Sequence, residues 1–411
     1  GEIYFHNRSG ARKSSGSYFT KPFAVEHLLN SALAPAMEEH LERVKSFVDS
    51  GDEAAAAKAF LDFKTADIAM GSGHFLVAAI DHLEARFSRF LTEHPIPAVN
   101  AELDALRKAA TNELGKHGLS ERYQIDSTQV LRRLIARRCI YGVDINPVSV
   151  ELARLAIWIH TFVPGLPLSF LDHNLVVGNS LTGIGTLDEV SDFLEGGLAK
   201  AHIDAQIEAA QPYLDRLTAL SDATIEDISA AREASEEARQ ALQPVTRLLD
   251  MLVLSRAGLA EIDPLFLTDK EVVTRRHANN EIQNLLEAHS PLHFPVVFPE
   301  VFRSSSLGFN CILGNPPWEE VVVEELAFWN TKFPGIKALS SVKQREEIRH
   351  KSEERPDLVI ELDAAKKIAS ETRKFLTGRI YPGMGTGDTE LYKAFCWRFW
   401  MLCRWSGDIG I

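Results

Sequence analysis

Short apolar runs that end in polar or glycine-containing turns alternate along the chain with longer amphipathic runs. The short runs predict strands, and they fall at residues 63–69, 139–143, 175–177 and 309–313, with a further strand opening at 408–411. The runs at 74–90 and 147–160 repeat apolar residues at helical spacing. Strands that alternate with helices predict an α/β fold, a Rossmann-like parallel sheet with helices on both faces.

The pattern changes between Ala199 and Ala288, where alanine, leucine, glutamate and arginine recur at helical spacing. This composition predicts a helical insertion, such as a hairpin of long helices, that packs outside the sheet. The segment 181–300 holds 21 acidic and 9 basic residues, so it accounts for most of the net charge of −13. The rest of the chain is nearly neutral, and its overall charge does not exclude a nucleic-acid partner.

A later segment, Thr331 to Ile380, holds 12 basic and 8 acidic residues. Two interpretations are open: a surface that contacts phosphates, or simply the solvated face of helices.

The cysteine pattern argues against a fold held together by disulfides and against one held together by zinc. The four cysteines are scattered, none forms a C-x-x-C pair, and they stand at Cys139, Cys311, Cys396 and Cys403. This pattern favours neither a disulfide framework nor a structural zinc site, and it is typical of a reducing cytoplasm. The chain shows no signal-peptide pattern and no apolar run long enough to span a membrane.

Two turns after predicted strands carry candidate ligand-binding residues. The first turn is Asp67-Ile68-Ala69-Met70-Gly71-Ser72-Gly73. Its glycines lie between a strand and a helix, where they allow the backbone to approach a ligand. An ordinary turn without a ligand can have the same sequence pattern. In Tyr141-Gly142-Val143-Asp144-Ile145, an acid at the tip of a strand can bind both ribose hydroxyls of a nucleoside cofactor. Asp144 can also merely cap the next helix.

Two further turns follow the third and fourth predicted strands. A polar side chain in Asn174–Leu181 could contact an adenine, although this signal is weak. Gly314-Asn315-Pro316-Pro317-Trp318 is more specific. Its prolines stiffen the loop, the Asn315 amide and the Pro316 carbonyl offer two acceptors, and Trp318 offers a flat face. Two acceptors beside an aromatic face suit the exocyclic amine of a base.

Together these segments resemble the gamma class of DNA N6-adenine methyltransferases, in which cofactor motifs precede a (D/N/S)PP(Y/F/W) motif. Gly16-Ser17-Tyr18-Phe19-Thr20 is similar to the N-terminal motif that contacts the methionine end of S-adenosylmethionine. Asp67 to Phe75 resembles the DPACGSGxF motif, with Ile68 and Met70 in place of proline and cysteine. About 70 residues separate Gly73 from Asp144, against roughly 20 in compact relatives.

The resemblance implies a set of site residues. The cofactor-binding ones are Tyr18, Phe19, Thr20, Asp67, Ala69, Gly71, Gly73, Phe75, Asp144, Ile145, Asn179 and Ser180, and the catalytic ones are Asn315, Pro316, Pro317 and Trp318. Asp144 is the implied ribose-binding acid, and Asn179 stands where the family often has an aspartate near the adenine. Leu391-Tyr392-Lys393-Ala394-Phe395 resembles the next helix of the fold. No metal is implied.

The segment Phe298-Pro299-Glu300-Val301-Phe302 restricts the resemblance to particular groups of methylases. It is similar to the large methylases of type IIG restriction–modification enzymes and of the BREX and DISARM phage-defence systems. The implied partner is double-stranded DNA whose target adenine is flipped out of the stack, with other defence-system subunits as further partners and no membrane.

The same patterns suggest domain boundaries. We expect an N-terminal helical region at 1–62, a cofactor-binding half at 63–182 with a helical insertion near 91–137, an acidic helical insertion at 183–290 and a catalytic half at 291–411. The resemblance places a target-recognition domain beyond 411.

Other functions stay open at this point. An NPP loop also serves protein-glutamine methyltransferases, but those are short between the glycine turn and the loop, whereas 242 residues separate Gly73 from Asn315 here. An RNA-adenine methyltransferase fits the same motifs. A non-catalytic scaffold of a defence complex would not need an intact NPPW loop. No nuclease constellation is evident.

Overall fold

One parallel sheet organises the molecule. The computed structural model describes residues 20–119, 121–193, 198–261, 269–302, 308–378, 380–384 and 388–411. Five strands in this part pair in the order β3-β2-β1-β4-β5, and every neighbouring pair is parallel. Their bounds are β1 Thr65–Asp67, β2 Ile140–Asp144, β3 Leu175–Val177, β4 Phe309–Leu313 and β5 Cys403–Gly410. The predicted α/β fold is confirmed.

The fifth strand begins earlier than the apolar pattern predicts. It starts at Cys403, five residues before the predicted opening at Asp408. Its pairing with β4 shifts register between the pairs made by Phe309 and Cys311. A side chain on Gly407 would come within 2.5 Å of the Cys403 sulfur. This irregularity breaks the period-2 alternation on which strand prediction depends.

Each strand sends alternate side chains into two different cores. On β2, Ile140 packs into the core of the first face, whereas Tyr141 and Val143 pack into the core of the second face. On β4, Cys311 and Leu313 face the first core and Ile312 faces the second. Both faces of the sheet are therefore buried, as an all-parallel sheet requires.

Helices from the first half of the chain cover the first face. They are α1 Pro22–Leu28, continued by a π-turn at Leu29–Leu33, then α2 Ala34–Asp49, α3 Glu53–Phe60, α4 His74–Glu93, α5 Pro97–Lys116, α6 Ser127–Arg138 and α7 Pro147–His160. Asp126 begins α6 with a reciprocal capping box, and the Asn146 side chain accepts the Val148 N–H at the start of α7. The long α4 and the added α5 and α6 account for the wide spacing between Gly73 and Asp144.

A helical block with its own core follows β3. Its helices are α8 Asp188–Phe193, α9 Leu198–Ala209, α10 Gln211–Ala219, α11 Ile225–Arg256, α12 Lys270–His277 and α13 Asn280–His289. The 32-residue α11 packs against α9, α10 and α12. Buried polar pairs fasten the block: Asp250 accepts hydrogen bonds from His277 and His293 at 2.8 and 3.0 Å. The block is thus joined firmly to the segment that leads into β4.

The remaining helices cover the second face or lie beside it. They are α14 Phe294–Val297, α15 Pro299–Phe302, α16 Glu325–Lys332, α17 Ser341–Glu354, α18 Pro356–Leu376 and α19 Leu391–Leu402, with a 3-10 turn at Ile336–Ala338. Helices α16 to α18 enclose a small core around Trp329, Ile336, Leu358 and Leu362. We call this unit the α16–α18 block. No described helix is long and apolar enough to cross a membrane.

Candidate functional site

Four predicted turns meet at one edge of the sheet. The glycine turn follows β1, Asp144 ends β2, Asn179 and Ser180 follow β3, and the Asn315–Trp318 loop follows β4. Parallel strands bring their carboxyl ends to the same edge, so residues far apart in sequence come together there. The strand order reverses between β1 and β4, and such a switch point opens a crevice for a ligand.

The glycine turn is held tightly against β2. The Met70 N–H donates to the Val143 carbonyl at 3.0 Å, and the Gly73 N–H donates to the Met70 carbonyl at 2.9 Å. Gly71 and Gly73 both have left-handed backbone, with φ of 53° and 79°. A side chain on Gly73 would sit 3.0 Å from the Ala153 Cβ, whereas Gly71 faces open space. The turn therefore presents backbone, with room beside Gly71.

Ile68 and Met70 replace the proline and cysteine of the related motif, and both are buried. Ile68 packs into the second core and Met70 into the first. Met70 fits because β2 carries Gly142, where a Cβ would come within 2.2 Å of the Met70 sulfur. Packing thus fixes the turn where a proline would otherwise stiffen it.

The carboxylate of Asp144 organises the next part of the site. Its Oδ2 accepts the Gly71 N–H at 2.9 Å and its Oδ1 accepts the Asn146 N–H at 2.8 Å. Partial burial raises the pKa of Asp144, whereas these two hydrogen bonds lower it. Ile145 and Val177 flank it with exposed apolar side chains, 59% and 47% accessible. An acceptor group beside apolar surface is suited to a molecule with hydroxyls and a flat ring.

Asn179 and Ser180 are both engaged with the protein. The Asn179 side-chain oxygen accepts the Leu181 N–H at 3.0 Å, and the Ser180 hydroxyl donates to the Ile68 carbonyl at 2.7 Å. Ser180 is buried, as is Phe75 in the first core. Ser180 and Phe75 thus shape the crevice by packing, and only Asn179 of the three retains partial exposure.

Asp67 lies at the centre of the edge, between the glycine turn and the Asn315–Trp318 loop. Its Oδ1 accepts the Ala69 N–H at 3.0 Å, and a Cβ on Gly314 would lie 2.9 Å from the same oxygen. Burial raises the pKa of Asp67 to about 7, the Ala69 hydrogen bond acts against this, and the nearby Asp144 carboxylate adds to it. The sequence alone does not show how close this carboxyl is to the loop.

The side chain of Asn315 is fixed from both ends. Its Oδ1 accepts a hydrogen bond from the Trp318 indole Nε1 at 3.1 Å, and its Nδ2 donates to the Thr20 hydroxyl at 3.3 Å. Pro316 is buried, whereas Asn315 is exposed. No backbone N–H of the described residues donates to the Pro316 carbonyl. The Asn315 oxygen with its spare lone pair and the Pro316 carbonyl therefore supply two acceptors within one short loop.

Trp318 is 61% exposed and stacks on Tyr392, with ring centroids 5.0 Å apart and an interplanar angle of 24°. Tyr392 was not identified from the sequence as part of the site, although its position at the start of α19 is a usable signal. Because Tyr392 covers one face of the indole, the other face is left for a planar ligand.

Two of the predicted residues, Tyr18 and Phe19, lie outside the described residues. Thr20 is described, and its hydroxyl accepts a hydrogen bond from Asn315 in the Asn315–Trp318 loop. The structure therefore brings Thr20, Asp67, Gly71, Gly73, Asp144 and Asn315 to one edge of the sheet, although 295 positions separate Thr20 from Asn315.

A parallel sheet in this order, with a glycine turn, an acid at the tip of β2 and an NPPW loop at one edge, is consistent with a methyltransferase fold. Residues 138–334 match the family model described as Eco57I restriction-modification methylase. The match runs from the end of α6 to just beyond α16, so it includes Asp144 and the Asn315–Trp318 loop but not the glycine turn. Comparison with curated proteins and with solved structures gave no match.

Proposed function

We propose that this protein transfers a methyl group from S-adenosylmethionine to the N6 amine of adenine in DNA, within a restriction–modification or phage-defence system. The observation that carries the proposal is the fixed Asn315 amide, with its oxygen oriented by Trp318. The family match supports a restriction–modification methylase.

The crevice residues fit the cofactor. Asp144 uses one lone pair of each oxygen for Gly71 and Asn146, so each oxygen can still accept a ribose hydroxyl. Ile145 and Val177 offer apolar surface to the adenine ring. Gly71 leaves open space beside the turn, where backbone can lie against the amino-acid part. When bound, the cofactor supplies an electrophilic methyl group on a positively charged sulfur.

The acceptors of the NPPW loop then activate the target amine. Its lone pair is delocalised into the ring, so the amine alone is a poor nucleophile. The Asn315 Oδ1 and the Pro316 carbonyl accept its two hydrogens, which localises the lone pair on nitrogen. The N6 nitrogen forms a bond to the methyl carbon as the bond from that carbon to sulfur breaks, a neutral thioether leaves, and one N6 proton is released to water. Both acceptors are preorganised, so little reorganisation accompanies the charge that develops, and positioning can supply about 7–11 kcal/mol of the barrier.

The free face of Trp318 holds the flipped base. Extruding an adenine from the duplex costs a few kcal/mol. Stacking on an aromatic side chain is worth about 1–3 kcal/mol per base. The Tyr392 ring behind the indole keeps Trp318 in place for this contact.

The test is methyl transfer from labelled S-adenosylmethionine to unmodified DNA, read by mass spectrometry of the digested nucleosides. We expect N6-methyladenine from the wild type and none from Asn315→Ala, which should still bind cofactor. Asn280→Ala removes an exposed asparagine in α13 and serves as the matched control. Product on RNA or on a protein glutamine, with none on DNA, would refute the proposed substrate. Cofactor binding without transfer to any of the three would indicate a scaffold.

A further inference from the structure

Helix α7 is apolar on both of its faces. Val150, Ala153 and Ile157 are fully buried against the sheet. On the opposite face, large apolar side chains that are 49–69% exposed follow one another along the helix and just past its end: Val148, Leu152, Leu155, Ile159 and Phe162. We call these five residues the α7 stripe. A helix that is apolar all round is normally covered on both sides.

The exposed row distinguishes α7 from α4, the helix packed beside it. The parallel helix α4 covers the same face of the sheet, and none of its residues is an exposed large apolar one. Leu168, six residues after Phe162, is a further exposed apolar residue, 50% accessible. The five side chains of the stripe and Leu168 together expose roughly 500–600 Å², so pairing two copies would bury about 1,000–1,200 Å² in total, which is the size of a small specific interface.

The charges on α7 disfavour nucleic acid and anionic membrane surfaces as the occupant. The helix has no lysine. Its single arginine, Arg154, is engaged by Glu151 at 2.6 Å and by Asp172 at 3.0 Å. Phosphate backbones and anionic membrane surfaces require free cations beside the apolar face. An apolar helix face with no free cation fits an apolar protein surface better.

The spacing of the stripe points to a second copy of the same chain. The intervals are 4, 3, 4 and 3 residues, which is the seam of a helix pair. Leu155 lies seven residues from both Val148 and Phe162. In an antiparallel pair centred on Leu155, this residue meets its own copy on the two-fold axis and the small Val148 faces the large Phe162. Leu152 and Ile159 of the other copy lie one residue out of step across the seam. Such self-complementarity is what a two-fold interface demands.

The flanks of the stripe allow this pairing. Glu151 is the charged residue beside the seam on α7, and Arg154 neutralises it. In the antiparallel arrangement Glu151 lies opposite Ile159 of the other copy, not opposite another carboxylate. Ser149 and Ala156 on the other flank are small, so the two helices can approach closely. We propose that the protein forms a two-fold dimer through the α7 stripe.

The mass of the full chain in solution tests this directly. Sedimentation and light scattering up to about 100 µM should give a dimer for the wild type. Leu155→Glu places two carboxylates on the axis and should weaken dimerisation at least about 100-fold. The control Val342→Glu changes an exposed apolar residue on α17 and should leave the dimer intact. Circular dichroism and Tm establish that both variants fold.

A cross-link fixes the geometry. Leu155→Cys should be joined to its copy by a short bis-maleimide, whereas Val342→Cys and the wild type should not. A monomeric wild type at about 100 µM, or a dimer that survives Leu155→Glu, would overturn the proposal. A monomer that instead binds a different protein through the stripe would also overturn it. None of these outcomes depends on methyl transfer.

Discussion

The Trp318 indole donates its N–H to the side-chain oxygen of Asn315, three residues before it, at 3.1 Å. An asparagine amide looks nearly the same when its oxygen and nitrogen exchange places, and only its hydrogen-bond partners define the orientation. Here the indole N–H, which can only donate, marks the oxygen, and the nitrogen then donates to the Thr20 hydroxyl. If the proposed chemistry holds, these partners keep an acceptor pointed at the target amine.

Trp318→Phe should separate two contributions of Trp318, the stacking of a base on its ring and the orientation of the Asn315 side chain. Phenylalanine keeps an aromatic ring against Tyr392 but loses the N–H to Asn315. A single hydrogen bond contributes about 0.5–1.5 kcal/mol, so kcat should fall about 2- to 12-fold while the KM for DNA changes little. Trp318→Ala should also raise that KM, because the stacking face is gone. Steady-state methylation kinetics measure both, and an unchanged kcat in Trp318→Phe would refute an orienting role.

Thr20 should act on Asn315 through its hydroxyl alone. Thr20→Val keeps the shape and removes the acceptor, so kcat should fall a few-fold. Thr20→Ser retains an oxygen at the same place and should recover most of the activity. Kinetics of the two variants under identical conditions provide the comparison. Equal loss in both would mean that the threonine methyl group matters instead.

Gly73→Ala should impair both stability and cofactor binding. A left-handed alanine costs about 1–2 kcal/mol, and the added Cβ would press on Ala153 at 3.0 Å. Gly51 has a similar φ of 77° with open space around it, so Gly51→Ala carries the backbone strain alone. Denaturant unfolding should show a larger loss of stability in Gly73→Ala than in Gly51→Ala. Cofactor titration should show weaker binding in Gly73→Ala alone. Matching behaviour of the two variants would contradict a close approach at Gly73.

Asp67 should make stability fall as the pH rises. Burial raises its pKa in the folded protein to about 7 from 3.8, so the folded state holds this proton more tightly than the unfolded state. Stability is then lost between about pH 4 and about pH 7 as the unfolded chain releases the proton first. Asp67→Asn should remove this loss and raise the Tm by a few degrees near neutral pH. Thermal unfolding across this range, with exposed Asp62→Asn as control, measures it. A Tm profile in Asp67→Asn that parallels the wild type would contradict the raised pKa.

The sequence predicts the sheet well, because its strands are short apolar runs that end in glycine or polar turns. The predicted bounds of β3 and β4 agree with the structure to the residue. The turns at Gly71, Asp144 and Asn315 are recognisable because each combines a special backbone need with a polar group. Their assembly at one edge follows from parallel strands alone.

Contacts between distant segments were beyond prediction. Nothing in the sequence pairs Trp318 with Tyr392, or sets Asp67 beside Gly314, since these contacts depend on how loops pack. The basic character of 331–380 is similarly altered by folding: Lys332 pairs with Glu361, and Lys366 pairs with Glu325. The phosphate-binding role of that segment stays a prediction.

The α16–α18 block leaves and rejoins the fold at neighbouring points. Glu320 bridges to Glu390 in antiparallel fashion, and the Val321 N–H donates to the Thr389 carbonyl at 3.0 Å. These two contacts close the chain into a loop that begins just after Trp318 and ends just before Tyr392. Loop length adds little to the cost of such a closure, and the block has its own core. A different insertion could therefore replace the block, which would change the surface beside Trp318 while the two stacked aromatic rings and the sheet stay as they are.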